Sequence, residues 1–152
     1  MKRMALLLAM LATSMLVAAS CGGSSTSRKG DDTAVLGAAE HPAVLVKLGE
    51  VVGSGVTGTV KLSGAGNDQT KVHIALTGDD GSSHPAHLHQ GTCSKPNPVP
   101  RYPLNNVKEG TSDTTIDADL DQLESEAPLY VNVHKSGSNL NTSIACKEID
   151  FS

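Results

Sequence analysis

The 152-residue sequence predicts an all-β domain, a Greek-key β-barrel or sandwich of seven or eight antiparallel strands. Three observations carry that expectation. Apolar residues recur with period two in short runs, where a helix would repeat them every 3.6 residues. Gly, Asn, Asp or Pro stands between the runs, as turn residues should. The composition, 15 Gly and 7 Pro with one Phe, two Tyr and no Trp, suits one turn-rich domain with an aliphatic core.

The first element is a leader. Residues 1–20 combine the basic start MKR with the apolar run MALLLAMLATSMLVAA and the small residues Ala18, Ala19 and Ser20, placed directly before Cys21. This is similar to a bacterial lipoprotein signal, which implies lipid attachment at Cys21 and cleavage before it. An ordinary secretory signal with an incidental cysteine is the alternative. The apolar run is at the short edge of the roughly 20 residues that a spanning helix needs, and small residues end it. Residues 21–41 follow as a flexible tether, opening with the Gly/Ser-rich GGSSTSRKGDD. The folded domain is then 42–152, exported and held at the cell membrane or outer membrane, facing the periplasm or exterior.

Within that domain the runs AVLVKLGEV, GVTGTVKLSG, TKVHIALTG, HPAHLHQG, DTTIDADLDQL, PLYVNVHKS and TSIACKEI read as strands in order. Ser94 to Gly110 carries four prolines and no strand pattern, so it reads as a long ordered surface loop. A single turn of helix is expected near Gln122 to Ser125. Removing Lys2 and Arg3 with the leader takes the 12 basic residues to 10 against 16 acidic, a net charge of −6 in place of −4. With so few aromatic residues, that balance argues against a nucleic-acid partner.

With Cys21 assigned to lipid, Cys93 and Cys146 are the remaining pair, and an envelope compartment is oxidising. A bridge between them is expected; two unrelated buried thiols are the alternative. The stretch HPAHLHQGTC, His84 to Cys93, holds three of the six histidines. In an extended strand His87 and His89 project to one side, with Ala86 and Leu88 on the other. In LYVNVHKS the same rule sets Tyr130, Asn132 and His134 opposite Leu129, Val131 and Val133. If the two strands are near neighbours, three neutral imidazoles converge, a donor set for copper or zinc rather than calcium or magnesium.

HLH followed by GTC, then YVNVHKS, then SIACKEI, resembles the copper/zinc superoxide dismutase family in order and flanks, and LVKLGEVVGSGVTGTVKLSGAGNDQTKVHIALTG resembles that family's first strands. The resemblance runs from about Ala43 to Phe151. It implies a superoxide dismutase-like Greek-key barrel, one copper ion on His87, His89 and His134, and a disulfide between Cys93 and Cys146. The departures from the family are equally specific. No His or Asp lies in Ser94–Gly110, where the family has its metal-bridging histidine and zinc ligands, so a zinc site is not expected. Ser143 stands where the family places the arginine that attracts superoxide, and the segment before the last strand is very short.

Lesser candidates remain. His84 is a candidate fourth ligand or else a solvated loop residue; His73 reads as an exposed strand residue, and His41 as a domain-edge residue. Asp117, Asp119 and Asp121 are expected to share one strand face, as a solvated acidic surface before a cation site. No nucleophile motif, phosphate loop or C-x-x-C is present. The expected function is copper binding in a superoxide dismutase-like envelope lipoprotein with weak or no turnover. The alternatives are a copper-only superoxide dismutase acting on superoxide, and a non-catalytic β-sandwich.

Overall fold

The computed structural model describes residues 41–152. The leader, Cys21 and the tether up to residue 40 lie outside the described residues.

Eight antiparallel strands form in chain order: β1 (Val44–Glu50), β2 (Thr57–Gly66), β3 (Gln69–Thr77), β4 (Ala86–Gln90), β5 (Pro100–Pro103), β6 (Thr111–Ile116), β7 (Leu129–Ser136) and β8 (Asn139–Glu148). One short helix, α1 (Leu120–Ser125), separates β6 from β7. The strands pair in the order β5-β4-β7-β8-β1-β2-β3-β6, so β7 crosses over to lie between β4 and β8. The two ends of this ladder are drawn together by the segment after β5. His84 and Val107 exchange backbone hydrogen bonds of 2.9 and 2.8 Å. Nearby, the Asn105 amide donates to the Asp113 carbonyl at 2.6 Å, and its backbone N–H donates to Thr114 Oγ1 at 2.8 Å. The result is a nearly closed barrel.

Period-two alternation places the core. Val46 and Leu48 on β1, Val60 and Leu62 on β2, Val72 and Ile74 on β3, and Val131 and Val133 on β7 all point inward and are buried. The β2–β3 hairpin turns through Asn67 and Asp68, with φ of 51° and 56°. Successive positive φ values define the tight turn whose twist matches its strands, and Asn and Asp tolerate it well. Gly58 has a different reason to be glycine: a Cβ there would stand 2.2 Å from the carbonyl oxygen of Ala75.

Three expectations are corrected. The run DTTIDADLDQL is not one strand. β6 ends at Ile116, and Asp119 accepts from Gln122 N at 2.7 Å to cap α1, on which Leu120 and Leu123 are buried at helical spacing. Asp117, Asp119 and Asp121 therefore share no strand face. Asp117 accepts from Gln69 Nε2 at 2.6 Å, while Asp121 pairs with His41. Finally, Ser94–Gly110 is not loop throughout, because Pro100–Pro103 forms β5 against β4.

Candidate metal centre

β4 and β7 are direct neighbours, and their register sets His87 opposite Asn132 and His89 opposite Tyr130. On β8, Cys146 faces Asn132 and Glu148 faces Tyr130. His134 follows one step along β7, where a register shift interrupts the β7–β8 ladder. The three imidazoles expected from strand geometry do converge. One ring nitrogen from each of His87, His89 and His134 lies within 4.8 Å of the others. Ring centroids are 5.0 Å apart for His87 and His134, and 5.4 Å for His87 and His89.

β7 is buried on both faces from Leu129 to His134, unlike the other long strands. Its aliphatic face enters the core, and the Tyr130 end of its polar face lies under the segment that follows β4. That cover is fastened at several points. Cys93 and Cys146 form a disulfide with Cα atoms 6.1 Å apart. The Cys93 N–H donates to Glu148 Oε1 at 3.0 Å, and the Asn97 N–H donates to the Tyr130 hydroxyl at 3.0 Å. Tyr130 in turn stacks on His89 with centroids 5.1 Å apart and rings 15° from parallel.

Burial disfavours protonation of all three rings. His87 is pushed down to about 4, by burial first and then by the neighbouring His134 and His89. His89 is lowered by burial, partly opposed by the nearby backbone carbonyls of Asn97 and Val99. His134 is lowered by burial and by His89, with the Leu140 backbone opposing. Neutral imidazoles are the ligating form. His87 Nδ1, both nitrogens of His89 and His134 Nδ1 are buried without a hydrogen-bond partner. Orphaned buried polar atoms are costly and rare. A bound cation would take one nitrogen from each ring. Three nitrogens each about 2.0–2.1 Å from one ion would stand roughly 3.5 Å apart, against separations of up to 4.8 Å here. The donor set and its burial therefore fit a copper or zinc ion.

His84 takes a different place from either one expected of it. It is buried, at 4% exposure, and its ring is not in the three-histidine group. Its Nδ1 donates to the carbonyl of Lys135 at 2.9 Å, and Nε2 lies 3.4 Å from Asp80. Pairing with Val107 fixes its backbone, and the ring holds the residue after His134 instead of a shared ligand position. His73 is on the open face of β3, where Nδ1 donates to Asp113 at 3.0 Å and Lys71 reaches the same oxygen at 3.1 Å.

Sequence reasoning missed two participants. Strand alternation puts Asn132 on the face of His134 without assigning it a role; it is 5% exposed, and its Nδ2 lies 3.5 Å from His134 Nε2. The second is a latch beside the cover. Arg101 on β5 donates to both oxygens of Glu126 at 2.8 and 2.5 Å, and Tyr102 and Gln122 join them. Shared faces could have flagged Asn132. Nothing local marks two residues 25 positions apart as partners.

A solved variant of superoxide dismutase 5 from Candida albicans superposes with a TM-score of 0.51 at 19% identity, covering 74% of this chain and 90% of that one. The chain has a superoxide dismutase-like fold. A copper(II) form of the same Candida albicans enzyme gives a TM-score of 0.49 at 18% identity, covering 72% of this chain and 91% of that one. No protein-family profile matches the chain, and no curated protein matches it in sequence. In this superoxide dismutase-like barrel the three histidines lie on β4 and β7, with the disulfide-tied segment beside them.

Proposed function

We propose that the protein binds one copper ion through His87, His89 and His134 in the cell envelope, with weak or no dismutase turnover. The observation that carries this reading is the set of three imidazoles, His87 half-buried and His89 and His134 buried, that bring one ring nitrogen each within 4.8 Å of the others. Copper is favoured over zinc because the set contains no carboxylate or thiolate and copper stands highest in the divalent affinity order. Cu(I) is also content with three nitrogen donors. A bound copper would supply one-electron redox chemistry, whereas the chain supplies the pocket and the neutral ligands. Low turnover follows from Ser143 at the position of the family's guiding arginine and from the missing fourth imidazole. The resemblance to the dismutase family and to the structure from Candida albicans supports copper as the ion and superoxide as the substrate of any residual activity.

Copper titration of the wild type and of His134→Ala tests the site. One equivalent should bind the wild type, and the variant should lose at least tenfold in affinity while melting cooperatively. Equal affinity would overturn the reading. Superoxide decay at two salt concentrations tests the activity: slow decay with little salt dependence is expected, and fast salt-sensitive decay would make the protein a dismutase. The envelope part of the proposal places lipid on Cys21. In a bacterial host the wild type should partition into detergent and Cys21→Ala should not; identical fractionation would remove the anchor.

A further inference from the structure

We propose that Asn132 is the fourth donor of the metal site, its side-chain oxygen making a three-nitrogen, one-oxygen set that retains Cu(II). This rests on the copper reading above. Asn132 is 5% exposed on a strand whose buried neighbours Val131 and Val133 are aliphatic. It stands on the rung between His87 on β4 and Cys146 on β8. Its Oδ1 is buried and has no hydrogen-bond partner. A buried amide in that state is less favourable than a valine of similar shape, so the fold alone gives no reason for it.

The other half of the amide shows where the oxygen can go. Nδ2 is 3.5 Å from His134 Nε2, a contact in which the amide N–H donates when the ring carries its own proton on Nδ1. A metal on the same nitrogen takes the lone pair, and the contact no longer has an acceptor. Turning the amide about its last torsion exchanges oxygen for nitrogen and puts Oδ1 toward the ion. A cation in the pocket thus satisfies an orphaned oxygen together with the orphaned imidazoles. Three imidazoles suffice for Cu(I), while Cu(II) favours four donors in a tetragonal nitrogen and oxygen set. Asn132 therefore acts on the oxidised ion far more than on the reduced one.

The test compares the full chain with Asn132→Val, which removes the oxygen, and Asn132→Asp, which keeps one. The readouts are Cu(I) and Cu(II) affinities, the electron paramagnetic resonance spectrum of the Cu(II) form, and the melting temperature without metal. Asn132→Val should weaken Cu(II) about tenfold and Cu(I) less than about threefold, raising the reduction potential by between about 30 and 59 mV. Its spectrum should change, and without metal it should melt at or above the wild type. Asn132→Asp should hold Cu(II) at least as tightly as the wild type. Unchanged Cu(II) affinity and spectrum in Asn132→Val would overturn the fourth donor while leaving the three-histidine site standing. If Asn132→Val does not fold, a loss of Cu(II) affinity in Asn132→Asp overturns it instead. A wild type that binds no copper, or binds it equally after His134→Ala, would remove the site itself.

Discussion

His73 and His134 are both strand histidines in the same barrel, and they have opposite fates. His73 sits on β3, where only one face is covered; its side chain is 42% exposed and is paired with Asp113. His134 sits on β7, where both faces are covered; it is 6% exposed, and its Nδ1 has no partner. Strand, alternation and residue type are common to the two. What differs is that the second face of β7 is covered as well, at Tyr130 by the segment that the Cys93–Cys146 disulfide ties down and at His134 by the backbone near Leu140. A histidine on an open face finds solvent and a carboxylate. Under a cover it keeps its lone pair for whatever the pocket admits.

The comparison can be broken most severely by removing the fastening. Cys93→Ser together with Cys146→Ser should lose about 4 kcal/mol on the chain-entropy account of a bridge spanning 53 positions, measured by urea unfolding. Copper affinity should fall with it. A variant that loses this stability yet binds copper as before would show that the cover is not what prepares the histidines.

Acid offers a sharper but smaller probe of the covered side. Hydrogen bonds from Arg101, aided by Gln122 and Tyr102, hold the carboxyl of Glu126 at about 2, below its ordinary value of 4.5. An acid with a depressed folded pKa contributes stability above its unfolded pKa and loses it as pH falls through the folded one. Stability from this latch is thus complete above about pH 4.5 and declines toward pH 2. In Glu126→Gln that part of the acid sensitivity should vanish, as read from melting temperature against pH. An unchanged profile would reassign it to other carboxylates.

The smallest effect is expected on the open side. His73→Ala removes a surface pair with Asp113 and should change stability by no more than about 0.5 kcal/mol, with copper affinity unmoved. A large loss would mean that the open face carries more of the fold than its exposure suggests.

Much of this architecture was legible in sequence because its signals are local. Alternation marked seven strands, and H-x-H on β4 needs only a two-residue period to set His87 and His89 side by side. Counting cysteines paired Cys93 with Cys146. The misreadings came where the same local pattern admits two structures. Ile116, Ala118 and Leu120 alternate as strand residues do, and all three are buried, but Asp119 caps a helix whose Leu120 and Leu123 pack at a helical interval. β5 has almost no signal of its own, being four residues with a proline at each end, and it is a strand because β4 pairs with it. The burial of Tyr130 draws on Asn97, whose N–H reaches its hydroxyl from outside β7, and no periodicity within β7 can disclose that. The Arg101–Glu126 pair joins β5 to the C-terminal cap of α1, so it was visible only after both had been placed.

The way the ladder ends governs how the molecule behaves beside copies of itself. An unpaired strand edge is a template on which another chain can add a strand. Here one terminal strand, β5, is short, and its prolines at positions 100 and 103 contribute no N–H. At the other end the segment around Asn105 already occupies groups of β6, through the Asp113 carbonyl and the Thr114 hydroxyl. Neither end offers a continuous run of hydrogen-bonding groups. Among the described residues, the two ends of the ladder are therefore poor templates for sheet extension between copies crowded together in a concentrated solution or on a common surface.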